Sequence, residues 1–228
     1  MRTIAILPIK SFGAAKQRLS GMLGTGAREA LVQAMFQDVL GALRRIPELD
    51  AIAVVSANTM AQRAARGEGV LLLDDELEAG HNEAAEIGIE YAVANGFDRV
   101  LLIAGDTPLL DPTDVSALLN GAAEDGTGLV VVSDRHGTGT NALLLCPPTA
   151  IGPAFGPGSC ARHQELAASA EVRCRVGDVP SLALDVDTPE DLAELTRLLD
   201  TTRIKATMTR GALAQLDRSR ASSPAPIS

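Results

Sequence analysis

The sequence predicts an α/β fold in which helices cover both faces of a mostly parallel sheet, and three observations carry that reading. Short runs rich in valine, isoleucine and leucine, bounded by glycine, aspartate or proline, read as strands buried on both faces. Helical periods lie between most of these runs, so strand and helix alternate along the chain. Residues able to do chemistry cluster directly after the strands, where an open α/β sheet binds its ligands. With 228 residues, 46% of them hydrophobic, the chain can bury a large core in one large domain or two small ones. The run of elements favours a single domain over residues 1–200.

The elements follow in order. Residues 4–9 form the first apolar run, and "LPIKSFGAAKQRLS" (7–20) then places Lys10, Lys16 and Arg18 in one loop. Residues 27–43 carry apolar side chains at three- and four-residue spacing and read as a helix. Strands at 52–55 and 70–73 come next, followed by a second helical period at 82–94. The strand at 100–104 ends in Gly105-Asp106, and a helix at 113–123 opens with a capping residue after Pro112. Strands at 129–132 and 142–145 flank the glycine-rich stretch from Asp134 to Thr140. Thr188-Pro189-Glu190-Asp191 reads as an N-cap, a first-turn proline and two acidic residues, opening a last helix that runs to about Leu199. From Thr201 the composition shifts to Arg203, Lys205, Arg210, Arg218 and Arg220 and ends in "ASSPAPIS". Residues 201–228 are therefore expected as a basic C-terminal tail, disordered in its last part. No internal repeat occurs.

Charge and cysteine content exclude several functions. A formal net charge of -9 repels nucleic acid and anionic membrane at long range, so an anionic ligand must be met by a local cationic site. The three cysteines, Cys146, Cys160 and Cys174, form no C-x-x-C pair, which argues against a disulfide framework and against a zinc knuckle. Pro8 and Lys10 cut the first apolar run too short for a signal peptide, and no stretch approaches the ~18 uninterrupted apolar residues of a membrane span. A soluble, unprocessed cytoplasmic protein is expected.

The opening loop is neither a P-loop nor a G-x-G-x-x-G dinucleotide turn. Its cations could neutralise a polyphosphate at the end of the first strand, with Gly13, Ala14 and Ala15 letting backbone amides come close. A solvated surface loop has the same composition. In "LLIAGDTPLL" (101–110), Asp106 sits at a strand end suited to a magnesium ligand, or caps a turn. "LDVDTPEDL" (184–192) adds Asp185 and Asp187, whose alternating positions on an extended segment point both carboxylates the same way. At least one could reach a metal held by Asp106, although Asp187 could instead be only a cap.

"SDRHGTGTNALLL" (133–145) offers either a cradle of amides for phosphate or carboxylate, completed by Thr138 and Thr140, or a plain hairpin turn. "FGPGSCARH" (155–163) repeats the glycines and sets Ser159 near the start of a helix, with Arg162 and His163 one turn on. His81, His136 and His163 are scattered, and neither H-E-x-x-H nor G-x-S-x-G occurs. The lack of a nucleophile constellation suits a substrate phosphate, which is already ionised and needs only positioning and charge neutralisation.

The ordered set "LPIK...AKQRL", "GHNEA", "GDTPLL", "DRHGTGTNALLL", "FGPGSCARH" and "DVDTPEDL" resembles the 2-phospho-L-lactate or phosphoenolpyruvate guanylyltransferase family of coenzyme F-420 biosynthesis, from Ile4 to about Leu199. The resemblance implies a three-layer nucleotidyltransferase fold of the kind shared with molybdenum cofactor guanylyltransferases and sugar-nucleotide synthases. The G-G-x-S-x-R-M-G loop of the molybdenum branch is missing here. By this similarity Lys10, Lys16 and Arg18 hold the triphosphate of GTP, with Lys16, Arg18 and Asp106 at the catalytic centre. Asn82 meets the nucleotide, Thr140, Gly156 and Ser159 hold the phosphorylated acid, and Asp106, Asp185 and Asp187 take Mg2+. GTP and a small phosphorylated acid are the implied partners, with hand-over to a downstream transferase. Another nucleotidyltransferase, acting on a sugar phosphate or molybdenum cofactor, and a non-catalytic nucleotide-binding regulator are the rival readings.

Overall fold

The computed structural model describes residues 1–9, 16–201 and 206–221. Among these residues the strands are β1 (Thr3–Pro8), β2 (Ala51–Val55), β3 (Leu71–Leu73), β4 (Arg99–Ile103), β5 (Leu129–Ser133), β6 (Thr140–Leu145) and β7 (Cys174–Gly177). The helices are α1 (Thr25–Leu43), α2 (Thr59–Glu68), α3 (His81–Ala94), α4 (Pro112–Asp125), α5 (Ser159–Ser169), α6 (Pro189–Thr201) and α7 (Thr207–Ala221). The strands form one sheet in the order β3-β2-β1-β4-β6-β5-β7. Every pairing is parallel except the two that β6 makes, with β4 and with β5. All six runs expected as strands are strands.

Burial on both faces explains why those runs were legible. Along β1, Ile4 and Ile6 enter the core beneath α3 and α5, while Ala5 and Leu7 enter the core beneath α1, α4 and α6. Alternate side chains thus point to opposite apolar layers, and the strand reads as continuously hydrophobic. The result is three layers, with the sheet in the middle. No helix among the described residues is long and apolar enough to cross a membrane.

Three elements have no strong apolar signal. β7 is a short edge strand, "CRVG", that buries only its last residue well. In α2, "TMAQRAARGE", the buried side chains are the small Ala61 and Ala65. Its ends are nevertheless marked: the Asn58 side chain accepts from the amides of Met60 and Ala61 at 3.0 Å, and Gly69 closes it with φ 69°. The third is α7, in the segment expected as a tail. Within it Thr207–Ala221 form a helix packed on the domain. Asp38 of α1 accepts from the amides of Met208 (3.1 Å) and Thr209 (2.7 Å), and Leu213 and Leu216 pack against the core. The Arg210 guanidinium donates to the Leu199 carbonyl at the end of α6. Residues 222–228, with the "SSPAPIS" ending, lie outside the described residues.

The sheet directs its carboxyl edge toward one crevice. β6 runs the other way, so its first residues, Thr140 and Asn141, reach the edge where β4 ends: Ala142 pairs with Ile103, and the Ala104 amide donates to the Asn141 carbonyl at 2.8 Å.

Close packing of α3 on β1 yields a stability prediction. A methyl group at Gly88 would stand 2.4 Å from Ile6 Cγ2, a buried atom near the middle of the sheet. Gly88→Val forces the helix off the strand and lowers stability by about 1–3 kcal/mol, read as a lower urea midpoint.

Candidate active site

β4 delivers Asp106 to the crevice through a turn that has little room. A Cβ on Gly105 would lie 2.4 Å from Ile9 Cδ1 and 3.4 Å from Phe36 Cδ2, so any larger residue there would push the Ile9 side chain aside. Lys16 comes from the loop after β1 in the left-handed conformation, φ 58°. Its ammonium donates to Asp106 Oδ2 and, at 2.6 Å, to Asp187 Oδ1. The Lys16 side chain is only 6% exposed. Burial works to lower its pKa, but the charges of Asp106 and Asp187 outweigh that and raise it, so the ammonium stays protonated.

Asp187 is fixed from behind. Asp191 Oδ2 accepts from the amides of Asp187 (3.1 Å) and Thr188 (2.8 Å) and from the Thr188 hydroxyl (2.7 Å). The Asp191 amide donates back to Thr188 Oγ1 at 3.2 Å, which makes this a capping box at the start of α6. Arg135, from the turn between β5 and β6, completes the arrangement with an ion pair to Asp191 Oδ1 at 2.6 Å.

Asp185 is placed differently. It accepts from Asn141 Nδ2 at 3.2 Å, and the same amide group donates to the carbonyls of Leu182 (2.8 Å) and Ala183 (3.2 Å). Burial, then the charge of Asp106, pushes the Asp185 carboxyl up to about 6. Of the two candidate acids, Asp187 shares a cation with Asp106. Among the described residues no group of three or more His, Cys, Asp or Glu side chains is arranged to hold a metal ion.

A second cluster of polar groups begins one residue before Asn141. Thr140 Oγ1 lies 3.1 Å from His163 Nδ1 and accepts from Ser159 Oγ at 3.0 Å. The Ala154 amide donates to His163 Nε2 at 3.0 Å. Arg162 holds the same loop, its Nε on the Ala154 carbonyl and its Nη1 on the Pro157 carbonyl, both at 3.1 Å. Gly156, at φ 116°, occupies a backbone conformation that side chains rarely adopt. Thr140, Gly156 and Ser159 are therefore brought together around one loop, with His163 behind them.

Two sequence expectations take other partners. The glycines around Thr138 serve a hairpin turn. Asp134 Oδ1 accepts from the amides of His136 (3.1 Å) and Thr138 (2.9 Å), so the turn's own carboxylate fills the amide cradle. A Cβ on Gly139 would lie 2.7 Å from Asp134 Oδ2. Asn82, at the start of α3, spends its oxygen on the Phe155 amide (2.7 Å) and its amide group on the Phe155 carbonyl (3.4 Å). Phe155 itself stands edge-on to His81 and His163, with ring centroids 4.9 and 5.1 Å apart. Arg18 is exposed on a one-turn 3-10 helix, Gln17–Leu19, and Lys10 lies outside the described residues.

Sequence reasoning missed Asn141, Arg135 and the part that His163 plays. Asn141 carried a signal, a polar residue at the head of an apolar strand. Arg135 and His163 carried none, because their partners are distant in the chain.

Comparison with known proteins identifies the family and the fold. The family described as "CofC: Guanylyl transferase CofC like" matches residues 3–209. The phosphoenolpyruvate guanylyltransferase of Conexibacter woesei is 49% identical over 96% of this chain and 98% of its own. The 2-phospho-L-lactate guanylyltransferase of Methanothermobacter thermautotrophicus is 38% identical over 86% of this chain and 84% of its own. Among solved structures, a protein of Desulfovibrio desulfuricans named for the nucleotide-diphospho-sugar transferases superposes with a TM-score of 0.77 at 18% identity, covering 96% of each chain. A 4-diphosphocytidyl-2C-methyl-D-erythritol synthase does so with a TM-score of 0.62 at 16% identity, over 87% of this chain and 98% of its own. The fold is thus that of the nucleotidyltransferases, and the chain belongs to the family of CofC-like guanylyl transferases.

Proposed function

We propose that the chain transfers the guanylyl group of GTP to the phosphate of a small phosphorylated carboxylic acid, in coenzyme F-420 biosynthesis. Phosphoenolpyruvate is the first choice of acceptor and 2-phospho-L-lactate the second, following the names of the relatives. An oxygen of the acceptor phosphate attacks the α-phosphorus of GTP, the bond from that phosphorus to the β-phosphate oxygen breaks, and pyrophosphate leaves. The observation that carries the reading is the cation shared by Asp106 and Asp187, set beside the hydroxyl cluster of Thr140 and Ser159.

Asp106 and Asp187 fit a divalent cation, because their carboxylates already converge on the positive charge of Lys16. Magnesium needs only one or two carboxylates when substrate phosphates complete its shell, and it would offset charge on the triphosphate and the departing pyrophosphate. Asp185 stands by as a third acid. Lys16 supplies a buried cation to the phosphates, and Arg18 and Lys10 join it on the nucleotide side by resemblance. Asn82 belongs to that side by resemblance too, while its side chain steadies the loop at Phe155.

On the acceptor side, Thr140 offers a hydroxyl, backed by the buried hydroxyl of Ser159, and Gly156 offers a bare backbone. His163 adds no charge there: burial, and then the charge of Arg162, hold its ring down at about 4. A positive charge for an acid with two anionic groups is at hand in the Arg162 guanidinium, whose Nη2 lies 3.8 Å from where a Cβ on Gly156 would stand. No general base is needed, since the acceptor phosphate is ionised. The product passes to a downstream transferase, and the three free cysteines suit a reducing cytoplasm.

Mass spectrometry of mixtures of GTP or CTP, magnesium and the candidate acids, with and without a downstream transferase to trap product, tests the reaction. A guanylylated phospho-acid and pyrophosphate are expected; cytidylyl transfer or a sugar-nucleotide product instead would overturn the assignment.

Three changes probe the division of labour. Asp106→Asn keeps the shape but is a poorer ligand for a hard cation, and kcat should fall about a hundredfold or more, read by pyrophosphate release. Lys16→Ala should weaken GTP about tenfold or more by calorimetry while acceptor affinity moves far less. The His163 ring is pushed from its ordinary 6.5 to about 4 in the folded protein, so between those values the unfolded chain binds more protons. This contribution to stability is complete above pH 6.5 and is lost as pH falls toward 4. Denaturant titrations should show that part of the acid loss in the parent and not in His163→Asn.

A further inference from the structure

We infer that His163 is a positioning residue for the acceptor acid: protonated on Nδ1, it orients the Thr140 hydroxyl so that the hydroxyl proton is the one left to meet the bound acid. The inference deepens the reading of Thr140 and Ser159 as the acceptor site and rests on it.

Counting donors and acceptors leads there. A backbone amide can only donate, so the Ala154 N–H, 3.0 Å from His163 Nε2, requires a lone pair on that nitrogen. In a neutral imidazole the proton then sits on Nδ1. Nδ1–H must donate to Thr140 Oγ1 at 3.1 Å, and Ser159 Oγ donates to the same oxygen at 3.0 Å. Both lone pairs of the Thr140 hydroxyl are then used, and its proton is left over. Ser159 and His163 are buried, while Thr140 is the member that reaches the crevice.

A hydroxyl in this state can donate and cannot accept. It suits the oxygen of an anion. Without His163 the hydroxyl can turn its proton inward or take one from water, and the site loses its fixed donor. The ring also ties two parts of the pocket together. Ala154, its other partner, is held through its carbonyl by Arg162, two residues before Gly156.

The two contacts can be separated by substitution. The side-chain amide of asparagine overlays Nδ1 and can still donate to Thr140, whereas glutamine reaches the Nε2 position and can accept only from Ala154. Acceptor and GTP parameters are measured separately, by initial rates and by calorimetry with phosphoenolpyruvate and 2-phospho-L-lactate. Thr140→Val and His163→Gln should each raise the acceptor KM about tenfold or more, with the GTP KM unmoved. His163→Asn should keep most of the acceptor affinity, and His163→Gln should add little in the Thr140→Val background.

If Thr140→Val leaves the acceptor KM unchanged, the acceptor reading fails and the inference falls with it. If Thr140→Val raises it but His163→Gln does not, or if His163→Asn is as poor as His163→Gln, the acceptor reading stands and the positioning role is overturned. Long-range proton–nitrogen NMR of the parent protein decides the tautomer independently, even if a variant fails to fold. A ring protonated on Nε2 overturns the inference, and one protonated on Nδ1 supports it.

Discussion

The short turn at 134–139 cannot carry the chain back to the start of a parallel strand, so β6 leaves it running against β4 and β5. Much of the site depends on that reversal. In a purely parallel sheet the first residues of a strand lie at the edge away from the ligand crevice. Because β6 is reversed, its first residues instead stand at the carboxyl edge, next to the turn that bears Asp106. Thr140 then faces the loop that carries Gly156 and Ser159, and Asn141 holds the segment that leads to Asp185 and Asp187. One strand therefore joins the acidic end of the site to its hydroxyl end. The same turn reaches further through Arg135, whose ion pair with Asp191 braces the box that fixes Asp187.

Charge is organised around this frame on a small scale. The chain as a whole is acidic, yet Lys16 is withdrawn from water and held between two carboxylates. A lone buried ammonium would be costly, and so would two unshielded acids side by side. Each makes the other tolerable. The arrangement keeps a cation at the carboxyl edge of the sheet, while the surface charge still disfavours polyanions such as nucleic acids.

How much of this was legible in the sequence follows from what buries what. The apolar runs became strands because both faces of the sheet are covered, and α1 and α4 showed their period because they bury large side chains. In α2 the buried residues are alanines, and β7 lies at an edge, so neither stood out. α7 was unreadable for another reason, since the carboxylate that caps it belongs to α1. Within the site, Asp106, Lys16 and Asp187 followed from strand ends and spacing, and the structure joins them. The glycines near Thr138 pointed to an anion because positive φ and free amides look the same in sequence whether the anion is a ligand or, as here, Asp134. His163 gave no local sign of its place in the site, which depends on the Ala154 amide and the Thr140 hydroxyl meeting at its two nitrogens.

The borrowed cap on α7 bears on how the molecule opens. Two of that helix's first amides donate to Asp38 on α1, so part of its N-terminal cap is supplied by another element. It cannot persist detached. When it lifts away it loses its cap and its apolar contacts in one event, which makes it a cooperative unit at the end of the chain rather than a fraying coil. Amide exchange along α7 would then proceed at a common rate set by undocking, and the helix would form only after α1 has done so.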